Sequence, residues 1–223
     1  MNVILFGATG MVGQGVLRAC LADARIGKLL VIGRTPSGMS HPKLRELIRS
    51  DLTDYADIEA ELTDYDACFW CLGVSSFGMD EASYTRTTYE LTMAAALPLS
   101  RLNPAMTFVF VSGGGADSSE QGRVMWARIK GKTENALRRL PFKAVYVFRP
   151  GAIQPLRGIR SKTVSYRLIY SLAWPLFAVL KWAVPHWVLT TDSLARAMIH
   201  AGREGAGKAI LEARDIHALS QWS

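Results

Sequence analysis

Short, nearly continuous apolar runs recur along the chain, with amphipathic stretches between them. Asn2–Phe6, Lys28–Gly33, Asp66–Leu72, Met106–Ser112, Lys143–Arg149 and Lys208–Arg214 are rich in Val, Ile, Leu, Phe and Ala. They predict strands covered on both faces, because a strand buried on both sides has no use for polar alternation. Leu44–Ser50 is a weaker candidate, since Arg45, Glu46 and Arg49 interrupt it. Met11–Ala24, Tyr84–Leu102, Val124–Leu140 and Ser193–Ala201 fall between these runs as helices. Strand, helix, strand at this spacing means parallel pairing through right-handed crossovers. No internal repeat, low-complexity tract or linker breaks the pattern. The prediction is one α/β domain over residues 1–223: a doubly wound parallel sheet of about seven strands with helices on both faces.

Composition supports that picture and narrows the function classes. A chain of 223 residues, 49% hydrophobic and 20% charged, is ample for a core and is neither disordered nor fibrous. Met1–Phe6 has no basic leader and runs straight into glycines, so no signal peptide is predicted. Three cysteines do not suggest a disulfide framework, and the expected compartment is the cytoplasm. The net charge of +7 is unevenly spread: residues 51–90 hold ten acids and one base, and residues 135–191 hold nine bases and no acid. Such polarity suits an anionic ligand, a lipid surface or nucleic acid, or simply gives a soluble protein two differently charged faces. The bases are scattered and form no reading module, so nucleic acid is not an expected partner.

Gly7-Ala8-Thr9-Gly10-Met11-Val12-Gly13 follows the first strand and opens the first helix. This placement gives the motif its meaning. The first glycine allows a tight turn, the second lets backbone approach a pyrophosphate, and the third lets helix pack on sheet. The helix N-terminus then offers unpaired N–H groups and its positive dipole end to the phosphates. The motif predicts a Rossmann-type domain holding a nicotinamide dinucleotide on Gly7, Thr9, Gly10, Met11, Val12 and Gly13. The residue that reads the ribose should close the second strand, about 20 positions beyond the motif. That place holds Arg34. An acid there would bond the free 2′-hydroxyl of NAD, whereas arginine offers a planar fork to a 2′-phosphate. NADP(H) is therefore expected over NAD(H).

GATGMVG at 7–13, VIGR at 31–34, SDLTD at 50–54, CLG at 71–73, FVSGGG at 110–115 and FRPGAI at 148–153 together resemble the atypical short-chain dehydrogenases/reductases. More narrowly, the chain resembles the small NAD(P)H-binding group related to the Tat-interacting tumour-suppressor oxidoreductase. The resemblance implies that Asp51 and Leu52 lie beside the adenine and that Leu72 and Gly73 line the ribose side. It also implies that Pro150 to Ile153 flank the nicotinamide.

The same resemblance implies catalysis by a serine after the fifth strand and a Tyr-x-x-x-Lys on the next helix. The tyrosine exchanges a proton with the substrate oxygen, the lysine holds the ribose and lowers the tyrosine pKa, and the serine bonds the substrate oxygen. Ser112 matches the serine and Lys130 the lysine, but the tyrosine position holds Trp126. An indole N–H donates and cannot act as an acid or base. Three explanations stay open. Tyr84 or Tyr89 reaches the site from the neighbouring helix; the reaction needs no protein proton donor; or the protein binds NADP(H) without turnover, as a regulator or assembly factor.

Cys68-Phe69-Trp70-Cys71 has redox-pair spacing but falls in a strand, where residues three apart face opposite ways about 10 Å apart. Buried structural cysteines are expected. His41, His186, His200 and His217 show no ligand spacing, and no metal is predicted. Residues 164–189 are rich in large apolar side chains, yet the charge-free stretch Leu168–Leu180 has only 13 residues. A spanning helix needs roughly 20. The resemblance implies that residues 154–190 form a small helical substrate cap over the nicotinamide. A homodimer face and a peripheral membrane contact through 164–189 are the other two readings. As a cap, the segment implies a bulky, apolar small-molecule substrate, with an anionic group facing Arg157, Arg160 or Lys162. The function predicted is an NADP(H)-dependent oxidoreductase or epimerase-like enzyme, against a non-catalytic NADP(H)-binding regulator.

Overall fold

The computed structural model describes residues 1–155 and 188–221. Its strands are β1 (Asn2–Phe6), β2 (Lys28–Gly33), β3 (Leu44–Ile48), β4 (Ala67–Trp70), β5 (Thr107–Val111), β6 (Ala144–Arg149), β7 (Ala152–Gln154), β8 (Val188–Thr190) and β9 (Ile210–Glu212). Seven of them form one parallel sheet in the order β3-β2-β1-β4-β5-β6-β9, and β7 pairs with β8 in a separate parallel ribbon. The helices are α1 (Met11–Ala22), α2 (Glu81–Thr85), α3 (Leu91–Leu102), α4 (Met125–Leu137), α5 (Thr191–Glu204) and α6 (Ala213–Leu219). A π turn, Arg86–Glu90, joins α2 to α3, and a 3₁₀ turn covers Ala56–Leu62.

Two cores follow from the period of the strands. In β1, Val3 and Leu5 pack on one face with α1, α5 and α6, through Val16, Leu17, Leu194, Met198 and Ile216. Ile4 and Phe6 pack on the other face with α3 and the end of α4, through Ala95, Ala96, Leu99 and Leu137. On this second face Phe6, Trp70, Phe108 and Phe142 form a ladder with ring centroids 4.5, 6.2 and 5.1 Å apart. Such spacing is that of favourable tilted and stacked aromatic pairs. Both faces of the central strands are thus dry, as the unbroken apolar runs require.

The fold is the expected doubly wound sheet of seven strands with helices on both faces, and several boundaries differ by one to three residues, two of them for a visible reason. The last strand, expected over Lys208–Arg214, is only Ile210–Glu212, because Ala213 already begins α6. There the Asp215 side chain accepts from the Glu212 N–H at 2.9 Å, a reciprocal cap that turns the chain into a helix. The helix expected from Tyr84 starts at Glu81, where Asp80 accepts from the Ser83 N–H at 2.7 Å. The cap expected over 154–190 and the apolar stretch 164–189 lie outside the described residues, apart from Gln154, Pro155 and residues 188–190 at their ends. No helix among the described residues is long and apolar enough to cross a membrane.

Candidate functional site

The sheet order reverses between β1 and β4, and because the strands are parallel the loops leaving β1, β2, β4, β5 and β6 lie at the same end of the sheet as that crevice. Open parallel sheets bind ligands at such a switch point. Gly7 turns the chain out of β1 with φ +77°, and a Cβ there would lie 2.6 Å from the backbone of Cys71 and Leu72. At Gly13 a Cβ would lie 2.0 Å from the Gly7 carbonyl oxygen, so helix and loop touch through backbone alone. Gly10 caps α1 without a side chain, and no acid sits in the first turn. Neither a capping side chain nor a first-turn acid therefore neutralises the helix N-terminus, whose orphan N–H groups and dipole suit a pyrophosphate. Gln14 Nε2 donates to the Thr9 carbonyl at 3.1 Å and fixes the loop, with Met11 and Val12 half-buried behind it.

Arg34 follows β2 directly, is exposed, and enters no ion pair among the described residues. Asp51 is occupied locally: its carboxylate accepts from the Thr53 N–H at 2.8 Å and the Thr53 hydroxyl at 2.7 Å. The hydroxyl and backbone bonds from Thr53 hold that carboxyl below its usual range. Leu52 turns its side chain into the core beside Tyr55 and Ile58, so toward a ligand it can offer backbone. Leu72 and Gly73 continue from β4, and a Cβ on Gly73 would lie 4.0 Å from Lys130 Nζ.

Lys130 is the buried cation of the site, 8% exposed. Its Nζ donates to the Val111 carbonyl at 3.4 Å and lies 4.9 Å from the Phe110 ring centroid. Burial pulls its pKa from 10.5 down to about 8, against the opposing pull of Glu134. The sequence places Ser112 and Lys130 in one site, and the structure brings them together at the end of β5. The Ser112 N–H donates to the Phe148 carbonyl at 2.7 Å, and its hydroxyl donates to Glu134. Having given its proton to Glu134, Ser112 presents lone pairs to any other partner. Trp126 lays its indole along the glycine run after Ser112: Cβ atoms on Gly113 and Gly115 would each lie 3.7 Å from its ring. Gly114 donates to the Pro150 carbonyl at 2.9 Å, tying the end of β6 to the same loop. Ile153, in contrast, is buried in the core that holds α1 and α5. Tyr84 is buried, and Tyr89 carries Lys132 Nζ 4.5 Å from its ring centroid. Burial pushes the Cys68 and Cys71 thiols up, and neither is bonded.

Sequence reasoning missed two residues here. Glu134 is fully buried and accepts from Ser112 and from Arg149, whose Nε lies at 3.2 Å. A glutamate four places after Lys130 on a helix reads as a surface residue; its partners Ser112 at the end of β5 and Arg149 at the end of β6 explain its burial.

A buried amine is costly, and the sign of that cost is testable. Below about pH 8 Lys130 is charged in both folded and unfolded chains, and folding carries the full desolvation penalty. Between about 8 and 10.5 the unfolded chain holds the proton that the folded one has lost, so stability rises with pH. The gap corresponds to roughly 3 kcal/mol. Lys130→Met is therefore expected to raise the apo protein's stability at pH 7 by about 2–3 kcal/mol. Denaturant melts at pH 7 and pH 10 check this, and a destabilised variant at pH 7 would refute it.

The arrangement has relatives. Protein fmp52, mitochondrial, of Aspergillus fumigatus is 28% identical over 211 residues, covering 90% of this chain and 86% of that protein. Among solved structures, the Bordetella bronchiseptica enzyme WbmF in complex with NAD+ superposes with a TM-score of 0.68 at 16% identity, covering 99% of this chain and 76% of that one. An oxidoreductase of the short-chain dehydrogenase/reductase family from Burkholderia thailandensis gives 0.70 at 15% identity, covering 97% and 92%. These two likenesses are of fold. The sequence profile of a family described as NAD(P)H-binding matches residues 7–152, from the first glycine of the phosphate loop to the start of β7. The chain belongs to this NAD(P)H-binding family.

Proposed function

We propose that the protein is an NADP(H)-dependent oxidoreductase, or an epimerase-like hydride-transfer enzyme, acting on an apolar carbonyl compound. The observation that carries this reading is Lys130: a buried amine held at the cost of stability, beside Ser112 and above the switch point. Proteins keep such groups where chemistry or binding needs them. Lys130 would hold the nicotinamide ribose, Gly7 to Gly13 the pyrophosphate, and the backbone at Leu52 the adenine side. When bound, the dinucleotide supplies or takes the hydride. Steady-state NADPH oxidation over a panel of quinones, aldehydes and ketones tests it, and no turnover with any of them counts against the enzyme.

Arg34 supports the choice of NADP(H), being an exposed guanidinium with no acid engaging it among the described residues. Arg34→Asp removes the fork and adds repulsion, so NADPH affinity should fall about ten- to hundredfold and NADH should become the better ligand. Calorimetric titration of both proteins with both cofactors reads this out. Equal affinities in the unmutated protein would sink the preference.

Trp126 favours a second reading, a non-catalytic NADP(H)-binding regulator, since an indole in the tyrosine's place moves no proton. Tight NADPH binding with no turnover across the panel is its signature.

A further inference from the structure

Two loops at the cofactor end of the sheet carry apolar side chains that neither the core nor the dinucleotide accounts for. Among the described residues, Met39, Ile48 and Leu97 are exposed on a loop, an edge strand and a helix. The other large exposed apolar residues, Val74, Phe77 and Val124, lie on the segments that leave β4 and β5. Phe77 stands out, at 89% exposed. Its outward position is built by the chain. The Phe77 N–H donates to Ser75 Oγ at 3.2 Å, and the Met79 N–H donates to the Ser76 carbonyl at 3.1 Å. Gly78 follows with φ +75° and turns the chain toward Asp80, the cap of α2.

Arg128 ties this loop to the next one. Its Nη2 donates to Glu81, in the first turn of α2, at 2.8 Å, and its Nη1 donates to the Gly122 carbonyl at 2.8 Å. Helix α2 also packs against α4. Phe77 precedes Glu81 by four residues and Val124 follows Gly122 by two, so one guanidinium draws both apolar positions to the same rim. Both loops also reach the site itself. A Cβ on Gly73, next to Val74, would lie 4.0 Å from Lys130 Nζ, and Gly113 and Gly115 carry the Trp126 ring.

Size and charge select what covers this rim. A stable second copy would bury about 800 Å² on each partner. One phenylalanine, at roughly 150–250 Å², and two valines offer far less. An anionic lipid surface attracts bases, yet residues 51–90 hold ten acids and one base, and Asp80 and Glu81 are exposed beside Phe77. A small apolar molecule extending out of the crevice meets neither obstacle, and gains by taking Phe77 out of water. We propose that Phe77, with Val74 and Val124, is a specificity-determining contact for an unbranched alkyl chain on the substrate. The inference rests on the reading of the site as one for an apolar carbonyl compound, and it adds the shape of the apolar part.

The probes are the 2-alkanones from 2-pentanone to 2-nonanone, titrated by calorimetry into the full chain saturated with NADP+. The oxidised cofactor has no hydride to give, so binding is read without turnover. In the unmutated protein affinity should rise about three- to fourfold per added methylene. Phe77→Ser should weaken 2-nonanone by about tenfold or more, and leave 2-pentanone and NADP+ within about twofold. Val124→Ser should act in the same direction. Phe77→Leu, which keeps an apolar surface, should keep the dependence on chain length. An exposed position tolerates these changes, and circular dichroism checks the fold. A length dependence that survives unchanged in both serine variants overturns the proposal. So does a Phe77→Ser variant that leaves the ketones unmoved but loses binding to phosphatidylcholine–phosphatidylserine vesicles, or loses a dimer in sedimentation. An unmutated protein that binds NADP+ and no alkanone overturns the proposal together with the apolar substrate. One that binds no NADP+ overturns the cofactor reading, and this inference falls with it. Length-dependent binding with no NADPH oxidation supports the inference and removes the enzyme.

Discussion

Gly10→Val is expected to fold and to lose NADPH binding. The three glycines of the phosphate loop differ in what a side chain would meet, and this makes the middle one the informative position. Gly7 has φ +77° and backbone 2.6 Å from where a Cβ would be, and Gly13 has the Gly7 carbonyl at 2.0 Å. Side chains at either would break the contact between β1, α1 and the β4 loop. Gly10 has φ −77° and ψ 168°, which any residue adopts, and its nearest neighbour would be the Gly7 oxygen at 3.3 Å. The conformation that only glycine adopts freely is thus at Gly7 and not at Gly10. A valine at the helix cap should lower stability by about 1 kcal/mol, since Gly10 already caps α1 without a side chain. Its two methyl groups are expected to crowd the helix N-terminus, the space that phosphate must enter to reach the free N–H groups. The expected loss in NADPH affinity is at least about hundredfold, roughly 2.7 kcal/mol. Calorimetry on the variant, with circular dichroism to show the fold, decides it. Retained binding in a folded variant would mean that the loop is structural only.

The same residues show why some of the fold was legible and some was not. The bounds of β1 and β2 follow from the sequence because the central strands are buried on both faces and glycines punctuate them. β3 looked doubtful because it is an edge strand, with Arg45 and Ile48 exposed. An edge strand tolerates the charges that argue against a central one. The β7–β8 ribbon was missed since each strand has three residues, too few for a period, and their pairing joins positions 152–154 to 188–190. The start of α6 was readable in principle: Glu212 and Asp215 have the spacing of a reciprocal cap, but apolar Ile210 and Leu211 drew the strand past it.

Local motifs made half the site legible. The phosphate loop, Arg34 and Lys130 sit in segments whose neighbours announce them. Glu134 and Arg149 do not, because a charge on a helix and a charge at a strand end give no sign that they meet 15 positions apart beneath Ser112. The consequence is chemical. Without Glu134, Ser112 reads as a hydroxyl free to donate to a substrate oxygen; with it, that proton is already placed.

This sharpens what Trp126→Tyr should do. Trp126 stands one turn before Lys130 on the same helix face, and its ring lies along Gly113 and Gly115, next to Ser112. With the Ser112 proton directed to Glu134, the serine contributes no acid, and the indole cannot. A phenol at position 126 would put a titratable hydroxyl beside that glycine run, within the field of the Lys130 charge, which favours the phenolate. The smaller ring gives up part of the contact with the glycines, but Trp126 is only half-buried, so the fold should hold. General acid catalysis typically contributes about 10²- to 10⁴-fold, and the variant should gain carbonyl reductase activity on that scale. The gain requires a carbonyl compound that fits, so the unmutated protein and the variant are compared over one panel by steady-state NADPH oxidation. A variant no faster than the unmutated protein, on substrates that both bind, would show that the missing phenol is not what limits the reaction. An unmutated protein that is already fast, and is slowed by the tyrosine, would make the indole part of a working site and end the regulator reading.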